Sequence, residues 1–160
     1  MQMKPEPLRI RLRRLNPRHH RFEALRSNGE VEVRELETRS FLTHDLIHYA
    51  LEAEAGLRQS FYGRIASGGD YEDLGPPMTG EALAVERVVG PLQSAIKGEV
   101  DPETFVARTA AWFCELGETP PAWLNVKVIA GALERLRELE GRWRATPFGE
   151  TMELEFPPPA

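Results

Sequence analysis

The chain has 160 residues, 41% of them hydrophobic and 28% charged, with a formal net charge of −5. That balance excludes a disordered chain, and no window approaches the roughly 20 apolar residues that a membrane-spanning helix needs. A single cysteine, Cys114, excludes an internal disulfide and a cysteine-built metal cage. Cys114 lies in the apolar run Ala110-Ala111-Trp112-Phe113-Cys114 and is expected to be a small buried hydrophobe. No apolar stretch follows Lys4 near the start, so no signal peptide is expected and a cytoplasmic location follows.

Leu8-Arg9-Ile10-Arg11-Leu12-Arg13 alternates apolar and basic residues, the period of a half-buried strand with its arginines in solvent. A second strand is predicted from about His20 to Arg26 and a third from Val31 to about Leu36. Asn28-Gly29 between them reads as a two-residue hairpin turn. That turn sets Glu23 opposite Arg34 and Ala24 opposite Val33. The three segments together predict an antiparallel meander.

A helix is predicted next, with Thr43 as its N-cap, Asp45 in its first turn and Gly56 as its stop. Ser60 to Ala66 reads as a fourth strand. Phe61-Tyr62-Gly63 within it could line a pocket beside the helix or simply pack. Glycine- and proline-rich breaks follow at Ser67-Gly68-Gly69 and Gly75-Pro76-Pro77.

The second half reads as helical. A helix from about Gly80 to Lys97 should bend or break at Gly90-Pro91. Asp101-Pro102-Glu103 is a cap, a first-turn proline and an acidic start, opening a helix that stops at Gly117. Thr119-Pro120-Pro121 opens another, with Ile129, Ala132, Leu133, Leu136 and Leu139 on one stripe and Gly141 after it. Trp143-Arg144-Ala145 and Met152 to Phe156 then read as a C-terminal hairpin. Trp112, Trp123 and Trp143 are expected as core anchors. The expected fold is one α+β domain over residues 1–160: an antiparallel sheet, built from the N-terminal three-stranded meander and the C-terminal hairpin, packed against about four helices.

The residues that most suggest chemistry are on the first helix. At about 100° per residue, His48 falls about 40° and Glu52 about 80° round from His44, at the border of the apolar stripe. Two histidines at i and i+4 project side by side and can share one cation, each giving a neutral imidazole nitrogen. The expected metal ligands are therefore His44, His48 and Glu52, with zinc or another divalent transition metal as cofactor. Acids downstream, Asp70, Glu72 and Asp73, are alternative third ligands.

His44-Asp45-Leu46-Ile47-His48 resembles the His-Glu-x-x-His motif of zinc metallopeptidases, where the helix also follows a β-meander. The resemblance implies Asp45 as the catalytic base acting on water. It covers five residues and departs at the base, where aspartate is a methylene shorter than glutamate. The tenth position after His44 is Glu54, not the third histidine of the extended motif.

A structural role accounts for the same residues: two polar side chains bonding to the sheet, and acids on a solvated face. His19 and His20, adjacent on a strand, point to opposite faces and do not form a ligand pair. Residues 1–26 carry a net +6, which raises the question of nucleic acid. The alternation already explains those arginines as a sheet face, and no aromatic platform interleaves with them. The glycine-rich segments lack the lysine and hydroxyl residue of a phosphate loop. The expected role is a binding or interaction domain with no membrane and no nucleic-acid partner, and a metal-dependent hydrolase as the alternative. A homodimer through the last helix or an edge strand stays open.

Overall fold

The computed structural model describes residues 6–71 and 80–159. Glu72, Asp73, the Gly75-Pro76-Pro77 break and Thr79 lie outside the described residues. Four strands, β1 (Leu8–Arg14), β2 (His19–Leu25), β3 (Val31–Glu37) and β4 (Thr151–Phe156), form one antiparallel sheet in the order β3-β2-β1-β4. Among the described residues five helices join it: α1 (Thr38–Ala55), α2 (Phe61–Ala66), α3 (Gly80–Ala95), α4 (Pro102–Glu115) and α5 (Val126–Ala145).

The period-two pattern decides which sheet face is covered. Leu8, Ile10 and Leu12 are buried and pair across to Phe156, Leu154 and Met152 of β4, also buried. Arg9, Arg11 and Arg13 point to solvent, and Arg11 reaches Glu23 at 3.6 Å and Glu153 at 3.2 Å. These are exposed ion pairs of small individual worth. The carbonyls of Glu153 and Glu155 accept hydrogen bonds from Arg142 and Tyr49, so the β4 edge is not a bare row of acceptors.

The β2–β3 register differs by one residue from the two-residue turn expected at Asn28-Gly29. Arg26 N–H bonds to Glu30 and Gly29 N–H to Arg26, closing a three-residue loop with Gly29 at φ 89°. Glu23 is thus opposite Val33, and Ala24 opposite Glu32. A one-residue slip exchanges the faces of a strand. Val31 and Val33 consequently face solvent, 55% and 50% exposed, while Glu32 turns inward. The inward carboxylate is matched by Arg26 at 3.3 Å and by the N–H of Tyr71 at 2.8 Å. Arg26 also bonds to the carbonyls of Ile65 and Gly69, tying α2 and the chain after it to the sheet.

α1 begins at Thr38, five residues ahead of the expected cap, because β3 runs straight into it with Glu37 in the cap position. Asp45 is therefore mid-helix and 1% exposed rather than a first-turn acid. Every residue from Asp45 to Glu52 is buried, as fits a helix enclosed by neighbours on all sides instead of one with a wet face. The stop at Gly56, in the left-handed region at φ 69°, is as expected.

Ser60 to Ala66 is not a strand. Residues 61–66 form the short helix α2, burying Tyr62 and Ile65 three positions apart, and Gly63 sits so close to the Arg58 backbone that a Cβ has no room. α3 continues through Pro91 to Ala95; the proline lies near its C-terminal end, where few intrahelical bonds remain to lose. Asp101 caps α4 as expected, its carboxylate accepting from the Thr104 N–H. Cys114 is exposed, on the side of α4 away from buried Phe105, Thr109 and Phe113.

Asn125, not the Thr119-Pro120-Pro121 segment, caps α5, accepting from the Val128 N–H at 2.9 Å. α5 then passes through Gly141 and takes in Trp143 to Ala145, so the expected C-terminal hairpin is the single strand β4. The alternating three- and four-residue spacing of Ile129, Ala132, Leu136 and Leu139 has Trp143 as its next member. Burying that indole outweighs the roughly 1 kcal/mol that a mid-helix glycine costs. Trp143 is 8% exposed and stands edge-on to His20. Trp112 and Trp123 are only half-buried.

Two predictions follow from this packing. Removing Arg26 as Arg26→Ala leaves Glu32 buried against fewer donors, and chemical denaturation should show a loss of about 3 kcal/mol. His20 is fully buried, and its pKa is lowered by that burial. A histidine depressed below its unfolded value of 6.5 lets the unfolded state bind more protons, so its stabilising effect is complete above pH 6.5 and lost as pH falls. His20→Phe should flatten the acid side of the stability–pH profile below pH 6.5.

Candidate metal centre

α1 carries His44 and His48 one turn apart, with ring centroids at 4.6 Å. Its i, i+4 geometry also carries His48 to Glu52, with Nδ1 and Oε2 at 2.9 Å and both side chains at most 1% exposed. The second oxygen of Glu52 accepts the N–H of Tyr62 at 3.0 Å. The tight approach of α2 to α1 thus fixes the carboxylate, and the carboxylate fixes the ring. His44 has a similar but looser neighbour: its Nδ1 is 3.4 Å from Asp45 Oδ1. The Asp45 carboxylate accepts the Tyr71 hydroxyl at 2.9 Å, and its carbonyl accepts the Tyr62 hydroxyl at 2.8 Å.

A carboxylate beside each Nδ1 places the ring proton there and leaves each Nε2 as the free donor of a neutral imidazole. Both Nε2 atoms face Glu86, which α3 brings alongside α1. Glu86 Oε2 is 3.9 Å from His44 Nε2, and Oε1 is 2.8 Å from His48 Nε2. Despite that 2.8 Å ion-pair contact, His48 Nε2 is buried without a directed hydrogen bond. One ligand atom from each of His44, His48 and Glu86 falls within 4.8 Å of the others. Around a tetrahedral cation with bonds of about 2.0–2.2 Å, ligand atoms stand roughly 3.3 Å apart. Side-chain adjustments of about 1 Å separate that arrangement from this one.

The charges are coupled. His44 is raised to about 9 by its hydrogen-bonding contacts with Asp45 and Glu86. Burial alone would lower His48, but the carboxylates of Glu52 and Glu86 outweigh it and its pKa stands above the ordinary value. Burial raises Glu52 against the pull of His48 and the backbone N–H groups. Glu86 is held far below the usual carboxylate range: burial would raise it, and the two imidazoles overcome that. The two imidazoles hold protons beside an ionised Glu86, and a cation bound by the three would displace those protons.

Of the residues expected from sequence, His44 and His48 converge on one point. Glu52 lies on the opposite, Nδ1 side of His48, and Asp45 on the Nδ1 side of His44. Asp70 is exposed and outside the trio. Sequence reasoning passed over Glu86 and Tyr71. Glu86 borders the buried Val85, Val88 and Val89 on α3, as His44 borders the apolar stripe of α1, but nothing in its spacing distinguishes it from Glu81. No protein-family model, curated protein or solved structure matches the chain. Among the described residues no helix is long and apolar enough to cross a membrane.

The sign of the His44 shift gives a pH prediction. Its folded pKa lies above 6.5, so its contribution to the metal-free protein is complete below pH 6.5 and lost as pH rises through about 9. Thermal melts of chelator-treated protein should fall across that window, and His44→Gln should reduce the slope, leaving the part that the raised His48 contributes.

Proposed function

We propose that this protein is a divalent-transition-metal-binding domain, with the Nε2 atoms of His44 and His48 and the carboxylate of Glu86 as its donors. The observation that carries the proposal is the buried Nε2 of His48, without a directed hydrogen bond and facing two further ligand atoms within 4.8 Å. Two imidazoles and a carboxylate suit zinc first, and other borderline first-row cations after it. Glu52 and Asp45 are positioning residues in this reading. Each holds an imidazole by Nδ1, an arrangement whose loss typically weakens metal affinity by about 10- to 100-fold.

A donor count of three favours a second reading, a metal-dependent hydrolase, since catalytic zinc sites keep a coordination position for water. His44 and Glu86 are about one-third exposed, which gives that position a route to solvent. Asp45 does not fit the base of such a reaction: it is buried and engaged with Tyr71 and the far side of His44.

Metal analysis of untagged protein tests the proposal. The expected result is close to one equivalent of zinc after loading, falling below about a tenth in His48→Ala and Glu86→Gln. Glu52→Gln should retain the stoichiometry and weaken the affinity by about 10-fold or more. Wild-type protein holding less than about a tenth of an equivalent after zinc addition would overturn it.

A further inference from the structure

Arg64 stands apart from the other arginines drawn into the fold. Arg26 is held by Glu32 and two carbonyls, Arg87 by both oxygens of Glu118, Arg135 by Glu54 and Arg14 by the Thr146 carbonyl. Arg64, half-buried on α2, has no carboxylate among the described residues paired with its guanidinium. It nevertheless lines one small cavity together with His48, Phe61, Val85 and Glu86. An arginine without a paired carboxylate among the described residues, lining the same cavity as a carboxylate and an imidazole of the proposed centre, is a placement that suits an acceptor. Arginine offers planar paired donors suited to the oxygens of carboxylate or phosphate.

We infer that Arg64 and the metal centre together form a site for a small oxyanion, with one oxygen completing the coordination of the cation and another accepting from the Arg64 guanidinium. This rests on the proposed metal site. The cavity holds about 10 Å³, room for roughly one water-sized atom. Only a single oxygen can enter beside His48 and Glu86, and the rest of the ligand stays on the solvent side. Phe61, whose ring is 5.1 Å from that of His48, and Val85 give the cavity apolar walls, in which a charge-assisted bond is strengthened. Glu86 is the one carboxylate among the described residues that line the cavity, and it is engaged with the imidazoles of His44 and His48.

Cobalt-loaded protein provides the test, because visible absorption of Co²⁺ reports a new ligand without requiring turnover. Metal content is measured first, then inorganic phosphate and acetate are titrated separately into wild type, Arg64→Ala and Arg64→Lys. The expected result is a saturable spectral change in wild type with at least one of the two anions. Arg64→Ala should bind it about tenfold more weakly or worse at unchanged metal stoichiometry and unchanged circular dichroism, and Arg64→Lys should fall between. The tighter anion identifies the ligand class. Full metal loading with no spectral response to either anion, or equal anion affinity in Arg64→Ala, would overturn the oxyanion site while leaving the metal centre standing. Absence of metal from wild type would overturn both.

Discussion

The buried pair of His48 and Glu52 is the constraint on which the centre of this structure depends. Two groups that ordinarily seek water stand 2.9 Å apart, both almost completely buried, in the middle of a helix enclosed on every side. Burying either one alone would be strongly unfavourable. Their presence therefore dictates what must surround them. α2 must approach closely enough for the Tyr62 N–H to reach Glu52, and α3 must bring Glu86 to the other side of His48. At the α2 turn itself Gly63 lies against the Arg58 backbone, where a Cβ has no room.

That dependence also explains the division of labour among the acids. Four carboxylates could serve two histidines, yet each occupies a different quadrant: Glu52 and Asp45 at the Nδ1 atoms, Glu86 between the Nε2 atoms, and Glu81 removed to the start of α2. Carboxylates at Nδ1 set the tautomer and orient the rings, which is the outer-shell role such groups play around metals. A carboxylate between the Nε2 atoms can share their cation. In the metal-free protein the same geometry is held by protons, which is why both imidazoles are shifted upward and Glu86 downward.

Much of the fold was legible in the sequence because strand period and helix caps are local signals. The β1 and β4 alternations, the Asp101 cap and the Gly56 stop all read correctly. The misreadings share a cause, in that tertiary contact overrode a plausible local cue. Gly141 looked like a helix end until the burial of Trp143 is considered, and Asn28-Gly29 looked like a two-residue turn until Glu32 is seen to find Arg26. At the site, the histidine pair was visible because i, i+4 neighbours lie on one helix. Glu86 was not, since its place beside them depends on how α3 packs against α1, and no spacing along the chain encodes that.

X-ray absorption at the zinc edge of the loaded protein bears most directly on the central claim. The account predicts an all-nitrogen and oxygen shell at about 2.0–2.2 Å, with the outer-shell scattering of two imidazoles. A shell showing the scattering of no imidazole, or of only one, would contradict it.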